Sequence, residues 1–279
     1  MEHDSFIIGP DDPILVTGAT GFIGVRLVEN LLSRGFRYLR CFARPSSAMA
    51  KLEAIAVRED GRARIEILKG NLLHREDCLA AAKDVAVIFH LAAGTGEKSV
   101  AEAFLNSVVA TRNLLEASLQ YKCLRRFVNI SSFTVYSNRD KPKWRLLNES
   151  SPVEAHPEIV GDAYCYAKVR QDELVEEYGK QHGIPYVIVR PGSVYGPGKQ
   201  QIPGRIGIDT FGLFLHLGGG NRIPFTYVDN CADAIALAGL KPGVDGEVFN
   251  VVDDDLPTSM KFLRLYKRNV RSFRSFYVP

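Results

Sequence analysis

Several features that would declare a chemistry at once are missing from this sequence. It has no C-x-x-C pair, and Cys41, Cys78, Cys123, Cys165 and Cys231 are odd in number and scattered. That pattern excludes a disulfide framework and a zinc ligand set, and it points to free thiols in a reducing, cytoplasmic compartment. His74, His90, His156, His182 and His216 are equally dispersed, so no metal is expected. No apolar run approaches the ~18 residues of a membrane span, so no transmembrane segment is expected. The opening MEHDSFIIGPDDP is acidic without a long apolar core and does not read as a secretory signal. A net charge of +3 is too small to argue for nucleic acid. No internal repeat or low-complexity tract is visible.

What is present is an alternation of strand-like and helix-like segments. Residues 14–17 (ILVT) form a short apolar run ending in a glycine-rich turn, and Ile23, Leu27, Leu31 and Leu32 recur at helical spacing over 22–33. Further strands are expected at 38–43, 65–68, within 85–93, at 126–132 and at 185–191, with long helices over 97–120 and 163–182. Such alternation predicts a doubly wound α/β fold, a parallel sheet covered on both faces. Ligands in these sheets bind beyond the strand C-termini, where the strand order switches. After Pro191 the texture becomes rich in Gly and Pro, which predicts loops over the ligand.

Within VTGATGFIG the glycines are Gly18, Gly21 and Gly24. Their placement between a strand and a helix suits a Rossmann-type dinucleotide site: a tight turn, close approach to a pyrophosphate, and close helix–sheet packing. The helix N-terminus adds free N–H groups and a positive dipole end for the phosphates. Residues 1–190 are therefore assigned to an NAD(P)-binding domain to which 223–245 return. Residues 191–222 and 246–279 are assigned to a small, truncated C-terminal substrate region. The second strand ends CFARPSS, offering Arg44, Ser46 and Ser47 but no acid, which points to NADP(H) rather than NAD(H), since a guanidinium pairs well with a 2′-phosphate. Tyr164 and Lys168 are four apart and share a helix face, whereas Tyr166 lies about 200° from Tyr164 around the helix. A nearby ammonium and an oxidised nicotinamide would lower the tyrosine pKa enough for proton exchange with a substrate alcohol or ketone. Ser131 and Ser132 close the fifth strand, where a hydroxyl could hold the substrate oxygen.

Taken together, these residues resemble the extended short-chain dehydrogenase/reductase family, also called NAD-dependent epimerase/dehydratases. The resemblance runs in order through TGATGFIG (17–24), HLAA (90–93), TRNLLEA (111–117), SSFTVY (131–136), YCYAK (164–168), RPGSVYGPG (190–198) and YVDNCADA (227–234). It implies that Tyr164 transfers the proton, that Lys168 binds the nicotinamide ribose and depresses the tyrosine pKa, that Ser132 rather than Ser131 completes the catalytic set, and that Thr134 touches substrate. It implies cofactor contacts at Gly18, Ala19, Thr20, Gly21, Phe22, Ile23, Gly24, Asn71, Leu72, Leu91, Ala92, Ala93 and Ser107, and substrate contacts at Ser193 and Arg222. It also implies a homodimer through the helices near 97–120 and 163–182.

The sequence departs from the family's pattern at several places. Asn71 stands where members often carry an adenine-binding Asp, and Ser107 where they often have Asn, with Asn106 one residue off. Ser193 replaces a frequent Asn, and Ile223, beside Arg222, replaces a frequent Arg. The chain stops early, on a tail carrying Lys261, Arg264, Lys267, Arg268, Arg271 and Arg274 with no acid, which suits a helix of a shortened substrate region or a basic amphipathic helix. Three functions fit. The first is an epimerase or dehydratase of a nucleotide sugar. The second is an NADPH-dependent ketone or aldehyde reductase of dihydroflavonol-reductase or 3β-hydroxysteroid-dehydrogenase type, which Arg44, Ser193 and Ile223 favour. The third is a non-catalytic dinucleotide sensor, against which the intact Ser132, Tyr164 and Lys168 argue. Specificity is expected in the loops 138–161 and 198–221.

Overall fold

The computed structural model describes residues 5–59, 61–94, 99–137, 146–199 and 201–278. The chain begins with β1 (Ile14–Thr17), α1 (Phe22–Ser33), β2 (Tyr38–Ala43), α2 (Ala50–Glu59), β3 (Arg64–Lys69), α3 (Arg75–Ala82) and β4 (Val87–His90). Helix α4 (Val100–Ala103) runs through a π-helical turn (Phe104–Val109) into α5 (Ala110–Leu119), followed by β5 (Arg126–Ile130) and a 3-10 turn (Phe133–Val135). Then come α6 (Pro157–Val160), α7 (Ala163–His182), β6 (Tyr186–Pro191) and β7 (Ser193–Tyr195). The last third holds β8 (Gly207–Thr210), β9 (Leu213–His216), β10 (Phe225–Tyr227), α8 (Val228–Leu240), β11 (Val248–Val251), α9 (Ser259–Asn269) and β12 (Ser275–Tyr277). Of the expected features, the start of the helix at Glu97 and the stretch 138–145 lie outside the described residues.

Seven parallel strands form the main sheet in the order β11-β6-β5-β4-β1-β2-β3. This is the doubly wound Rossmann-type arrangement, with the order reversing between β1 and β4. Both faces are dry because side chains alternate along each strand. In β1, Ile14 and Val16 pack with α1, α2 and α8 residues such as Leu27, Leu31, Leu52 and Ile235. Leu15 faces the opposite core with Ala81 of α3, Leu114 of α5 and Val175 of α7. The strand is fully buried, which is why it reads as an unbroken apolar run rather than an alternation.

The structure corrects the expected boundaries in three places. Helices α2 and α3 were not legible: α2 buries only Leu52 and Ile55, and α3 is eight residues with three alanines, so neither shows a strong apolar stripe. Strand β11, expected in the substrate region, is the edge strand of the main sheet and pairs with β6. The Gly/Pro-rich stretch is not all loop. β7 pairs with β10, and β8 and β9 form a hairpin through Phe211 and Gly212, both with positive φ (49° and 76°), as a two-residue turn between twisted strands requires. The basic tail is helical only as far as Asn269. Thr258 caps α9 by accepting from the Lys261 amide at 3.1 Å, and Leu263 anchors the helix in a small core with Ile206, Phe214, Ile223 and Phe225.

Helix α7, which carries Tyr164 and Lys168, is pinned by one buried carboxylate. Asp172 accepts from Asn129 Nδ2 (2.9 Å) and Ser131 Oγ (2.8 Å) on the β5 side and from Arg190 of β6 (3.1 Å), while Arg190 donates on to Tyr136 Oη (3.2 Å). Removing one partner of a buried ion pair leaves the other uncompensated. Asp172→Ala is therefore expected to lower unfolding stability by about 3–5 kcal/mol, read by urea denaturation, and Asp172→Leu with Arg190→Met to lose less than the single change.

Candidate active site

The C-terminal ends of the central strands open onto one cavity of about 1350 Å³. At its floor the first turn is shaped by two contacts that leave no room for side chains. Gly18 has φ +67°, and a Cβ there would lie 2.9 Å from the Ala92 amide nitrogen; a Cβ on Gly24 would run into the Gly18 carbonyl oxygen. Ala19 is fully buried beneath the turn instead of facing the cavity. Gly21 precedes α1 and has no side chain to cap it, so the amides of the first turn, from Phe22 to Gly24, are left facing the cavity they line. Unpaired N–H groups at the positive end of a helix are suited to a pyrophosphate.

At one end of the cavity Arg44 and Ser47 follow β2, and Asn71 and Leu72 follow β3. Arg44 is exposed and forms no ion pair among the described residues. Asn71 Oδ1 accepts from the Leu73 amide (3.1 Å), which leaves its side-chain NH₂ for a ligand, while its own amide donates to Asp77 Oδ2 (2.7 Å). Leu91, Ala92 and Ala93 line the wall after β4. This run of glycine turn, free amides, free guanidinium and carboxamide is a donor set for the phosphates, ribose and adenine of a dinucleotide. The volume exceeds the roughly 300–1000 Å³ typical of small-ligand pockets.

Ser132, Tyr164 and Lys168 meet at the middle of the same cavity. The Asp162 carboxylate starts α7 by accepting from the Tyr164 and Cys165 amides (2.9 and 3.3 Å). Tyr164 then lies over Lys168, whose Nζ is 5.9 Å from the ring centroid, and Ser132 is the hydroxyl near its own. Ser131 lines the cavity as well, but its hydroxyl donates to Asp172 at 2.8 Å. Burial raises the Tyr164 pKa, the nearby Ser132 hydroxyl opposes this, and Asp162 and Asp172 add to the rise. Here the structure differs from the expectation that Lys168 depresses it. The ammonium is itself buried, which lowers its pKa to about 8, and it is committed to the Ile130 carbonyl (2.6 Å) and Gln171 Oε1 (2.8 Å). Tyr166 points away, its ring 6.3 Å from that of Phe104.

Besides Ala19, three expected contacts are not brought to the cavity. Ser107 is fully buried and accepts from the Gly94 amide at 3.0 Å, while Asn106 lines the cavity in its place. The cause is the π-helical turn: it accommodates one extra residue and shifts by one the position that faces the ligand. Thr134 sits in the 3-10 turn with its amide donating to Ser132 Oγ (3.2 Å), so it supports the serine without lining the cavity. Arg222 is exposed, bridged to Thr258 outside the cavity, and Ile223 is buried. Ser193 does line it.

Other lining residues went unread. Lys199 is exposed and lines the cavity with its Nζ 5.5 Å from the Phe22 ring centroid, and its ammonium has no hydrogen-bond or ion-pair partner among the described residues. Phe262 and Tyr266 of α9 share one helix face by their spacing, and with Phe225 and Leu265 they make an apolar wall at the far end, where Lys261 is the nearby cation. The i,i+4 aromatic spacing was visible in the tail, but its basic residues drew attention elsewhere. Among the described residues no group of His, Cys, Asp and Glu side chains clusters as a metal site.

Residues 14–251 match the sequence profile of the NAD dependent epimerase/dehydratase family, and the chain belongs to that family. It is 27% identical over 257 residues to the trifunctional UDP-glucose 4,6-dehydratase/UDP-4-keto-6-deoxy-D-glucose 3,5-epimerase/UDP-4-keto-L-rhamnose-reductase of Arabidopsis thaliana, aligning 85% of this chain with 36% of that one. It is 29% identical over 231 residues to cinnamoyl-CoA reductase 2 of Medicago truncatula, aligning 82% of this chain with 66% of that one. The chain thus spans only about a third and two thirds of the length of these relatives. The crystal structure of UDP-glucuronic acid 4-epimerase from Bacillus cereus, in complex with UDP-glucuronic acid and NAD, superposes with a TM-score of 0.75 at 25% identity, covering 95% of this chain and 86% of that one.

The two serines are separable by experiment. Ser131→Ala strands part of the Asp172 carboxylate and is expected to cost about 1–3 kcal/mol of stability with dinucleotide binding kept. Ser132→Ala removes the cap of the 3-10 turn, which is expected to cost about 1 kcal/mol, and is expected to reduce turnover.

Proposed function

We propose that the chain is an NAD(P)-dependent oxidoreductase that moves a hydride between a nicotinamide cofactor and a carbinol or ketone carbon of a nucleotide sugar. The observation that carries this reading is the meeting of Ser132, Tyr164 and Lys168 beside a glycine turn with open amides, in one cavity. A bound nicotinamide supplies the hydride acceptor or donor. The protein's own residues do the rest. Ser132 holds the substrate oxygen, Tyr164 exchanges a proton with it, and Lys168 offers its remaining N–H toward the nicotinamide ribose. Burial keeps the Tyr164 hydroxyl protonated, the state needed to donate to a ketone. For the reverse step, the positive charge of an oxidised nicotinamide is what would draw the pKa down. The aromatic wall of Phe225, Phe262 and Tyr266 would stack a base, with Lys261 and Lys199 available to phosphates.

A second reading, an NADPH-dependent ketone or aldehyde reductase, draws on three observations. Arg44 is free at the end of β2, Arg222 lies outside the cavity, and the far wall is largely apolar. Arg44 favours NADP(H) over NAD(H) in either case. A homodimer through the α4–α5 and α7 helices is consistent with the exposed apolar Val100, Leu105 and Leu119 on the first of these, and the five free cysteines suit a cytoplasmic setting.

Titration of the purified protein with NADPH and NADH, with a search for copurifying nucleotide, separates the readings. Tightly held NAD⁺ with turnover of a UDP-sugar supports the first, and exchangeable NADPH oxidised by an aryl or alicyclic ketone supports the second. Arg44→Leu is expected to raise the NADPH Kd about tenfold or more with NADH unchanged, measured by nucleotide fluorescence. Tyr164→Phe should bind cofactor normally while turnover falls by about 10²–10⁴-fold; retained turnover would overturn the assignment of Tyr164.

A further inference from the structure

A continuous buried hydrogen-bond chain runs from the glycine turn to Lys168. The Ala92 amide donates to Thr17 Oγ1 (3.2 Å), Thr17 meets His90 Nδ1 (2.8 Å), and His90 Nε2 meets Thr111 Oγ1 (2.9 Å). Thr111 also receives Gln171 Nε2 (2.8 Å), and Gln171 Oε1 receives Lys168 Nζ (2.8 Å). The proton positions follow from one end. Thr111 spends its own hydroxyl proton on the Ser107 carbonyl (2.6 Å), so it must accept from both His90 and Gln171. His90 therefore carries its proton on Nε2, accepts from Thr17 at Nδ1 and is neutral, in keeping with full burial that lowers its pKa to about 3. Gln171 in turn can present only its oxygen to Lys168.

We propose that Gln171 is the positioning residue for Lys168, its amide oxygen aiming and retaining the ammonium while its amide nitrogen fixes that hold to the neutral His90 through Thr111. The inference rests on the reading of Lys168 as a cofactor ligand. Two of the three ammonium protons go to Ile130 and Gln171, which leaves one for the cavity that Lys168 lines. No carboxylate hydrogen-bonds Lys168. Asp172, on its own helix, is taken by Asn129, Ser131 and Arg190 of β6. Tyr164 on the same helix and His90 from β4 are the other titratable groups facing it, and α5 presents the uncharged Thr111. Burial lowers the Lys168 pKa and the charge of Asp172 raises it; a neutral acceptor holds an ammonium more weakly than a carboxylate does, so the residue at 171 tilts that balance.

The test is the pH dependence of cofactor Kd, using NADPH or NADH, whichever the wild-type protein binds, in wild type, Gln171→Glu and Gln171→Met. Binding is expected to weaken as the ammonium deprotonates, near pH 8 in wild type. Gln171→Glu adds a carboxylate in contact and should move this alkaline limb up by about one unit or more. Gln171→Met removes the acceptor and should move it down by a similar amount. A residue with a merely structural role would lower the melting temperature without moving the limb. Limbs that coincide with wild type, or that move in the same direction, overturn the inference while the cofactor reading stands; a wild-type protein that binds neither nucleotide overturns both. Should Gln171→Glu not fold, Gln171→Met decides alone, an acid shift supporting the inference and an unmoved limb overturning it.

Discussion

A parallel sheet must be covered on both faces, and everything else in this molecule follows from that constraint. Parallel strands cannot be joined by hairpins, so each connection crosses a face as a helix. Here α1, α2 and α8 close one side and α3, α5 and α7 the other. Because the chain first winds outward through β2 and β3 and then returns to β4, β1 and β4 are neighbours whose following segments leave to opposite sides. The crevice between them is a product of connectivity, and the cavity lies on it. The glycines of the first turn are there because β1, α1 and the backbone after β4 approach too closely for side chains.

The second level of organisation is polar. Two buried networks meet in α7. The one at Asp172 joins the helix to β5 and β6, and the one at Gln171 joins it to α5, β4 and β1. In both, donors and acceptors are nearly all satisfied, as a low-dielectric interior demands. Asn129 Oδ1 and Asn250 Nδ2 are the buried side-chain atoms left without a partner among the described residues. The consequence for the site is directional. With Ser131, Asp172 and Gln171 spent on structure, Ser132, Tyr164 and the last proton of Lys168 are the groups of β5 and α7 left to act on the cavity.

Much of this was legible in the residues. An apolar run followed by Gly18, Gly21 and Gly24 announces a strand, a tight turn and a helix start because each requirement is local. Tyr164 and Lys168 share a face because the helical repeat puts them there. The residues that did not reach the cavity share a cause as well. Ser107 was placed by its distance from TRNLL in the family's pattern, and across a π turn it is Asn106 that lines the cavity. Arg222 was placed by distance along the chain from an aromatic residue, yet a short bridge to Thr258 holds it away from the cavity. β7 and β10 are each three residues long among glycines and prolines, and such strands exist only through each other.

The sequence by itself determined the doubly wound fold, the position of the glycine turn after β1 and the sharing of one helix face by Tyr164 and Lys168, since these depend on periodicity and on backbone conformations that few residues allow. Tertiary structure alone decided which serine hydroxyl is spent on Asp172, which residue of the α4–α5 helix lines the cavity, that the C-terminal helix supplies an aromatic wall, and that Tyr164 is buried enough to raise its pKa. Those outcomes depend on which groups meet across the sheet and how much water they lose there, and neither quantity is encoded within any single stretch of chain.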